Sequence, residues 1–114
     1  MQIRNILLLF FLCCLACKHT SEEKFDKIKW AIKEGSEYPH RDKMLKDLIA
    51  NYKLKDLKKE EVIEMLGAPN RTDNGHLFYS IAKETIANVF PLHTKTLVIK
   101  LTKDSTVEWR KIHE

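Results

Sequence analysis

Three cysteines, Cys13, Cys14 and Cys17, lie within the first 17 of 114 residues, and none follows. A thiol is a nucleophile and an acyl acceptor. Cys17 stands directly after the small residue Ala16, at the end of an apolar run, and directly before Lys18. Beyond it the chain can close no intrachain disulfide and can build no cysteine-based metal site or catalytic thiol. The five histidines, His19, His40, His76, His93 and His113, lack the helical pair spacing of a zinc site. Asp73, His76, Ser80 and His93 supply the residue types of a hydrolytic constellation, but Ser80 has no flanking glycine to carry it on a strained turn. No glycine-rich phosphate loop and no paired-carboxylate spacing occurs. The expectation is therefore a non-enzyme, with no catalytic, cofactor-binding or metal residue.

The segment ahead of Cys17 says what its sulfur is for. Met1–Asn5 carries one basic residue, Arg4, and Ile6–Ala16 is apolar throughout. Eleven helical residues rise about 16 Å, half of the ~30 Å of bilayer hydrocarbon, so this stretch reads as a signal peptide rather than a permanent span. Cys14-Leu15-Ala16-Cys17 resembles the bacterial lipobox, with Cys14 in the place usually held by leucine. A cut before Cys14 instead would put Cys13 in the small-residue place and Phe11 in the leucine place, a poorer match. The reading is a lipoprotein signal peptide over 1–16, lipidation of Cys17, and a polar tether over 17–24. Three acyl chains, palmitate among them, each contributing about 0.8 kcal/mol per buried methylene, would hold the chain on a membrane. The competing reading is an ordinary secretory signal whose cysteines are merely small apolar residues.

Cleavage removes one basic residue and no acidic one, leaving residues 17–114 with a net charge of +3. That length suits one domain, 25–114. Phe25, Ile28, Ala31 and Ile32 recur at helical spacing behind a Thr20–Glu23 capping box, and Gly35 stops the segment. Met44, Leu45, Leu48, Ile49 and Tyr52 form the stripe of an amphipathic helix. A further helix turns Val62, Ile63 and Leu66 inward, starts with Glu60, Glu61 and Glu64 near its positive end, and closes at Gly67 in a left-handed conformation before Pro69. The period then changes. After a loop over 70–75, His76–Ile81 reads as a strand, 82–95 as an irregular connection, and 96–102 with 106–112 as a hairpin, with Val107 and Trp109 on one side. The fold expected is α+β, two helices packed on one face of a three-stranded antiparallel sheet.

Leu57-Lys58-Lys59-Glu60-Glu61-Val62-Ile63-Glu64-Met65-Leu66-Gly67-Ala68-Pro69, followed by Phe78-Tyr79, resembles the signature of the SmpA/OmlA family of small outer-membrane lipoproteins, the BamE-like proteins. The family pattern has a Glu-Val pair, a Leu-Gly-x-Pro helix end and an aromatic pair opening the first strand. Asp56 stands where the family has a turn glycine, and Lys58 where it has a Ser or Thr cap. The resemblance implies the same two-helix, three-strand fold and a role in outer-membrane protein assembly or envelope integrity. The same unit also resembles the repeat of β-lactamase inhibitory proteins, and fold alone does not fix function.

Two surfaces are candidate interfaces. Between Arg41 and Lys59 seven basic residues meet three acidic ones, and Lys43, Lys46 and Lys53 fall opposite the apolar stripe, where they would meet anionic lipid. Phe90-Pro91-Leu92 offers Phe90 and Leu92 to a protein partner. The expected partners are thus a membrane through Cys17, an envelope protein and anionic lipid, with no nucleic acid. The expected place is the cell envelope, on the outer membrane. A secreted inhibitor or ligand-binding module that uses the sheet face is the alternative.

Overall fold

The computed structural model describes residues 22–86 and 90–114, and side chains outside 84–92. The signal peptide, Cys17, the tether up to residue 21 and the side chains of Phe90 and Leu92 lie outside the described residues. Three helices, α1 (Lys27–Ala31), α2 (Arg41–Asn51) and α3 (Lys59–Leu66), precede four strands, β1 (Arg71–Asp73), β2 (His76–Ile86), β3 (Phe90–Leu101) and β4 (Val107–His113). The strands form one antiparallel sheet in the order β1-β2-β3-β4. The fold is α+β as expected, with one more helix and one more strand.

The extra helix, α1, begins later than the apolar spacing suggests. Asp26 caps it by accepting from the Ile28 and Lys29 amides, while the Glu23 amide donates to the Lys43 carbonyl instead of serving a capping box. Nor is the expected stripe the buried one: Ile28 is 78% exposed, whereas Trp30 is 1% exposed. The Trp30 indole Nε1 donates to the Leu66 carbonyl at 3.0 Å, so one aromatic anchor, rather than a stripe, holds this five-residue helix on the end of α3.

β1 exists because of the turn that follows it. Asn74 and Gly75 have φ of 54° and 77°, the pair of positive values that a type I′ hairpin turn needs, and Arg71–Asp73 pair with His76–Phe78 across it. The three residues are exposed and show no apolar alternation, so only the Asn-Gly pair signals this strand.

The connection expected over 82–95 is also strand. Ala82↔Lys95 through Ile86↔Phe90 continue the β2–β3 pairing, with register shifts after Ser80 and after Glu84. Each irregularity moves the side-chain alternation by one place, which erases the period-2 pattern from the sequence. A third shift separates Val107 from Trp109. Lys100 pairs with Trp109 but Leu101 pairs with Val107, leaving Glu108 as the extra residue, so Val107 is buried and Trp109 stands on the opposite face.

All three helices lie on one face of the sheet. Met44, Leu45 and Leu48 of α2 and Val62 and Leu66 of α3 bury against Leu77, Tyr79 and Ile81 of β2 and Leu97 and Ile99 of β3. Among the described residues no helix is long and apolar enough to cross a membrane.

Candidate binding face

With the core on one face of the sheet, alternation assigns the other face. Its residues align in rows across the strands, read from the register: Arg71, Phe78, Val98 and Lys111 in the middle; Asp73, His76, Lys100 and Trp109 on one side; Ser80, Thr96 and His113 on the other. No described helix covers these rows. Phe78, Val98 and Trp109 give the face an apolar centre, and a hollow of about 430 Å³ opens over it, walled also by Arg71, Lys111 and His113.

The aromatic groups are held rather than loose. The Arg71 guanidinium lies 3.9 Å from the Phe78 ring centroid, the His76 ring is 5.7 Å from Trp109 in an edge-on arrangement, and Val98 is only 8% exposed. The carboxylates of this side are already engaged. Asp73 is 3.7 Å from Arg71, and Glu108 is 2.9 Å from Lys100. Lys83 and Lys111 have no carboxylate within ion-pair distance among the described residues, so the face keeps a net positive charge.

A second cluster is structural in character. Arg41 is 3% exposed, yet among the described residues no carboxylate lies within ion-pair distance of it. Its Nε donates to the Trp30 carbonyl at 3.0 Å and its Nη1 to the Ser80 carbonyl at 2.8 Å, while the guanidinium lies 3.4 Å from the Tyr38 ring centroid and 4.8 Å from that of Trp30. Burial lowers its pKa, opposed by the neighbouring tyrosines, but an arginine so placed stays charged. It ties α1, the start of α2 and β2 together, and desolvated cation–π contacts of this kind contribute up to about 2 kcal/mol. A groove of about 590 Å³ beside it, between Tyr38, Asp42 and the β2–β3 arm, is lined by three lysines, of which Lys95 is 2.9 Å from Asp42 while Lys43 and Lys83 have no carboxylate at ion-pair distance among the described residues.

The residues singled out from sequence scatter. Lys46 lies 3.0 Å from Glu22 and Lys53 3.9 Å from Asp56, leaving Lys43 as the member of that basic set without a carboxylate neighbour among the described residues. The backbone of Phe90 and Leu92 is strand rather than loop, in the β2–β3 arm. Asp73 and His76 do face each other across the β1–β2 turn, but Ser80 is four residues further along β2, about 13 Å away at strand rise, and His93 pairs with Glu84 on the arm. The paper constellation is not assembled. Among the described residues no group of three or more histidine, cysteine or carboxylate side chains is placed to hold a metal ion.

No family model, no curated protein and no solved structure matches the chain. The likeness to the SmpA/OmlA pattern therefore rests on Leu57–Pro69 and Phe78-Tyr79 alone. Phe78 and Tyr79 divide between the two faces: Phe78 belongs to the outer rows, and the Tyr79 hydroxyl donates to the Gly67 carbonyl at 2.8 Å beneath the sheet. The sheet face entered the sequence reading only as the surface used in the alternative function, without its residues. The alternation His76-Phe78-Ser80 and Thr96-Val98-Lys100 was a usable signal for its middle strands, but the shift at Glu108 hid Trp109.

Proposed function

We propose that this protein is a non-enzymatic lipoprotein of the cell envelope, anchored through lipidated Cys17, that holds a protein partner on the uncovered face of its sheet. The observation that carries this reading is that face: an apolar, aromatic centre inside a cationic rim, on a sheet whose other side packs its core residues against the helices. Aromatic residues and arginine are the side chains that dominate protein interfaces. The outer membrane is the proposed location, with assembly or upkeep of the envelope as the process served. Asp56 supports kinship with the SmpA/OmlA pattern, since at the place of the family's turn glycine it adopts φ of 72°, a conformation glycine would serve well.

The anchor and the face belong together geometrically. Glu22 pairs with Lys46 and the Glu23 amide bonds to α2, so only five residues, about 17 Å when extended, would separate the lipid from the fixed part of the domain. The partner is then at or near the membrane. Headgroup contact through Lys43 would add about 1 kcal/mol, enough to bias orientation and too little to anchor.

Replacing Cys17→Ser is expected to move the protein from the membrane fraction to the soluble one, because no other segment replaces three acyl chains. Retention of the variant through carbonate extraction would overturn the anchor. The wild-type protein, solubilised from membranes, is expected to co-purify with an envelope protein in a Trp109-dependent manner. Outer-membrane assembly components in that complex support the scaffold role, and a periplasmic or extracellular enzyme supports the inhibitor-like alternative.

A further inference from the structure

The middle row of the outer face places a cation, two apolar side chains and a second cation in line across four strands: Arg71, Phe78, Val98, Lys111. At about 4.8 Å between strands, the two cationic positions are about 14 Å apart. An extended peptide advances about 3.3 Å per residue, so residues i and i+4 span about 13 Å, and i, i+2 and i+4 point to the same side. We infer that this face recognises an acidic, extended segment of the partner protein, with an apolar side chain seated over Phe78 and Val98 and carboxylates two residues to either side of it meeting Arg71 and Lys111. The inference rests on the binding-module reading and names the chemistry of its partner.

Three observations favour a protein segment over a lipid surface. The face is hollow, with about 430 Å³ of space over Phe78 and Val98, and a flat bilayer does not enter a hollow. Its centre is two adjacent side chains wide, the footprint of one apolar residue. Its charge is complementary to carboxylates: Asp73 and Glu108 are both engaged with cations, Lys111 has no ion-pair partner among the described residues, and the Arg71 side chain, stacked on Phe78, keeps 61% of its surface exposed. A planar guanidinium fixed in this way loses little freedom on accepting a carboxylate.

The test uses the full lipidated protein in vesicles of zwitterionic phosphatidylcholine and a blocked seven-residue peptide with glutamate at its second and sixth positions, leucine at its fourth and serine elsewhere. Saturable binding is expected, weakened at least tenfold when the leucine is replaced by serine or both glutamates by lysine, and weakened similarly by Arg71→Glu with Lys111→Glu. Because those two substitutions are on exposed side chains, circular dichroism should be unchanged. Phe78→Ala, checked the same way, reports on the apolar seat, and Lys43→Glu on the helical side should leave binding unaltered. Equal affinity for the lysine peptide, or indifference to the Arg71 and Lys111 charge reversal, overturns the inference. So does loss of peptide binding to this face when anionic lipid is added to the vesicles at constant ionic strength. If a partner co-purifies through Trp109 while the peptide fails to bind, the acidic-segment inference falls and the binding-module reading stands; if neither occurs, both fall.

Discussion

Two buried polar side chains show how single residues set this fold. Arg41 is charged, buried and, among the described residues, met by carbonyls, an asparagine side chain and aromatic rings, so its cost of desolvation is offset by these contacts rather than by a described opposite charge. Tyr79 is the clearer test. Burial raises its pKa to about 12, opposed by the nearby Arg41 charge, and its hydroxyl donates to the Gly67 carbonyl at the end of α3. The folded state thus keeps the phenol proton to higher pH than the unfolded chain, where tyrosine titrates near 10. The stabilisation is fully present below pH 10 and is lost as pH rises towards 12. Tyr79→Phe should cost about 1 kcal/mol at pH 8, through the lost hydrogen bond. In urea denaturation the gap between wild type and variant should then narrow between pH 10 and 12. A gap that widens over that range would show that the phenol is not held neutral.

Among the elements, α3 depends on how it ends. Its start is built from Glu61, whose carboxylate accepts from the Lys58 amide at 2.9 Å while Glu60 and Glu61 face the positive end of the helix dipole. Its end is Gly67, with φ of 80° as expected but ψ of −175°, outside the left-handed helical region and in one open almost only to glycine. A Cβ at Gly67 would meet nothing within 4 Å, so any cost of substitution is conformational rather than steric crowding. Gly67→Val is expected to lower stability by about 1–3 kcal/mol, read as a fall in the denaturation midpoint with an unchanged slope. Gly67→Ala should cost a comparable amount, because the strain lies in the backbone. An alanine variant as stable as the parent would mean that the α3–β1 connection can relax, and the observed ψ would not then be required.

At the scale of the whole molecule, the sheet has one satisfied face, one open face and two edges, and the edges are defended. β1 is only three residues long, and the start of β4 is covered, since the Val107 amide donates to the Leu57 carbonyl and its own carbonyl accepts from Asp56. The rest of β4 carries Glu108, Arg110 and Lys111, exposed charges of the kind that oppose edge-to-edge pairing. Replacing Arg110→Val together with Lys111→Val should therefore increase self-association, seen as a larger apparent mass in light scattering. A variant that stays at the mass of the parent would locate the protection elsewhere. With the edges guarded, the open face and its side chains are the surface left for the recognition we propose.

The α+β class, the positions of α2 and α3, the end of α3 at Gly67, though not its ψ, and the core residues Met44, Leu48, Val62, Leu66, Leu77 and Leu97 were legible in the sequence, because each rests on local periodicity or on a local backbone preference. Local order does not reveal where periodicity is interrupted. The irregularities after Ser80 and after Glu84 hid a hairpin arm behind an expected irregular connection, and the one at Glu108 carried Trp109 to the far side. The stripe read over α1 is likewise not what buries it, since Ile28 is exposed; the helix is placed by Trp30 reaching a carbonyl 36 residues away. The row Arg71–Phe78–Val98–Lys111 draws one residue from each of four strands, so its members share no spacing along the chain. Only the register of the folded sheet makes them neighbours, because hydrogen bonding between strands, not distance in sequence, sets which side chains stand side by side.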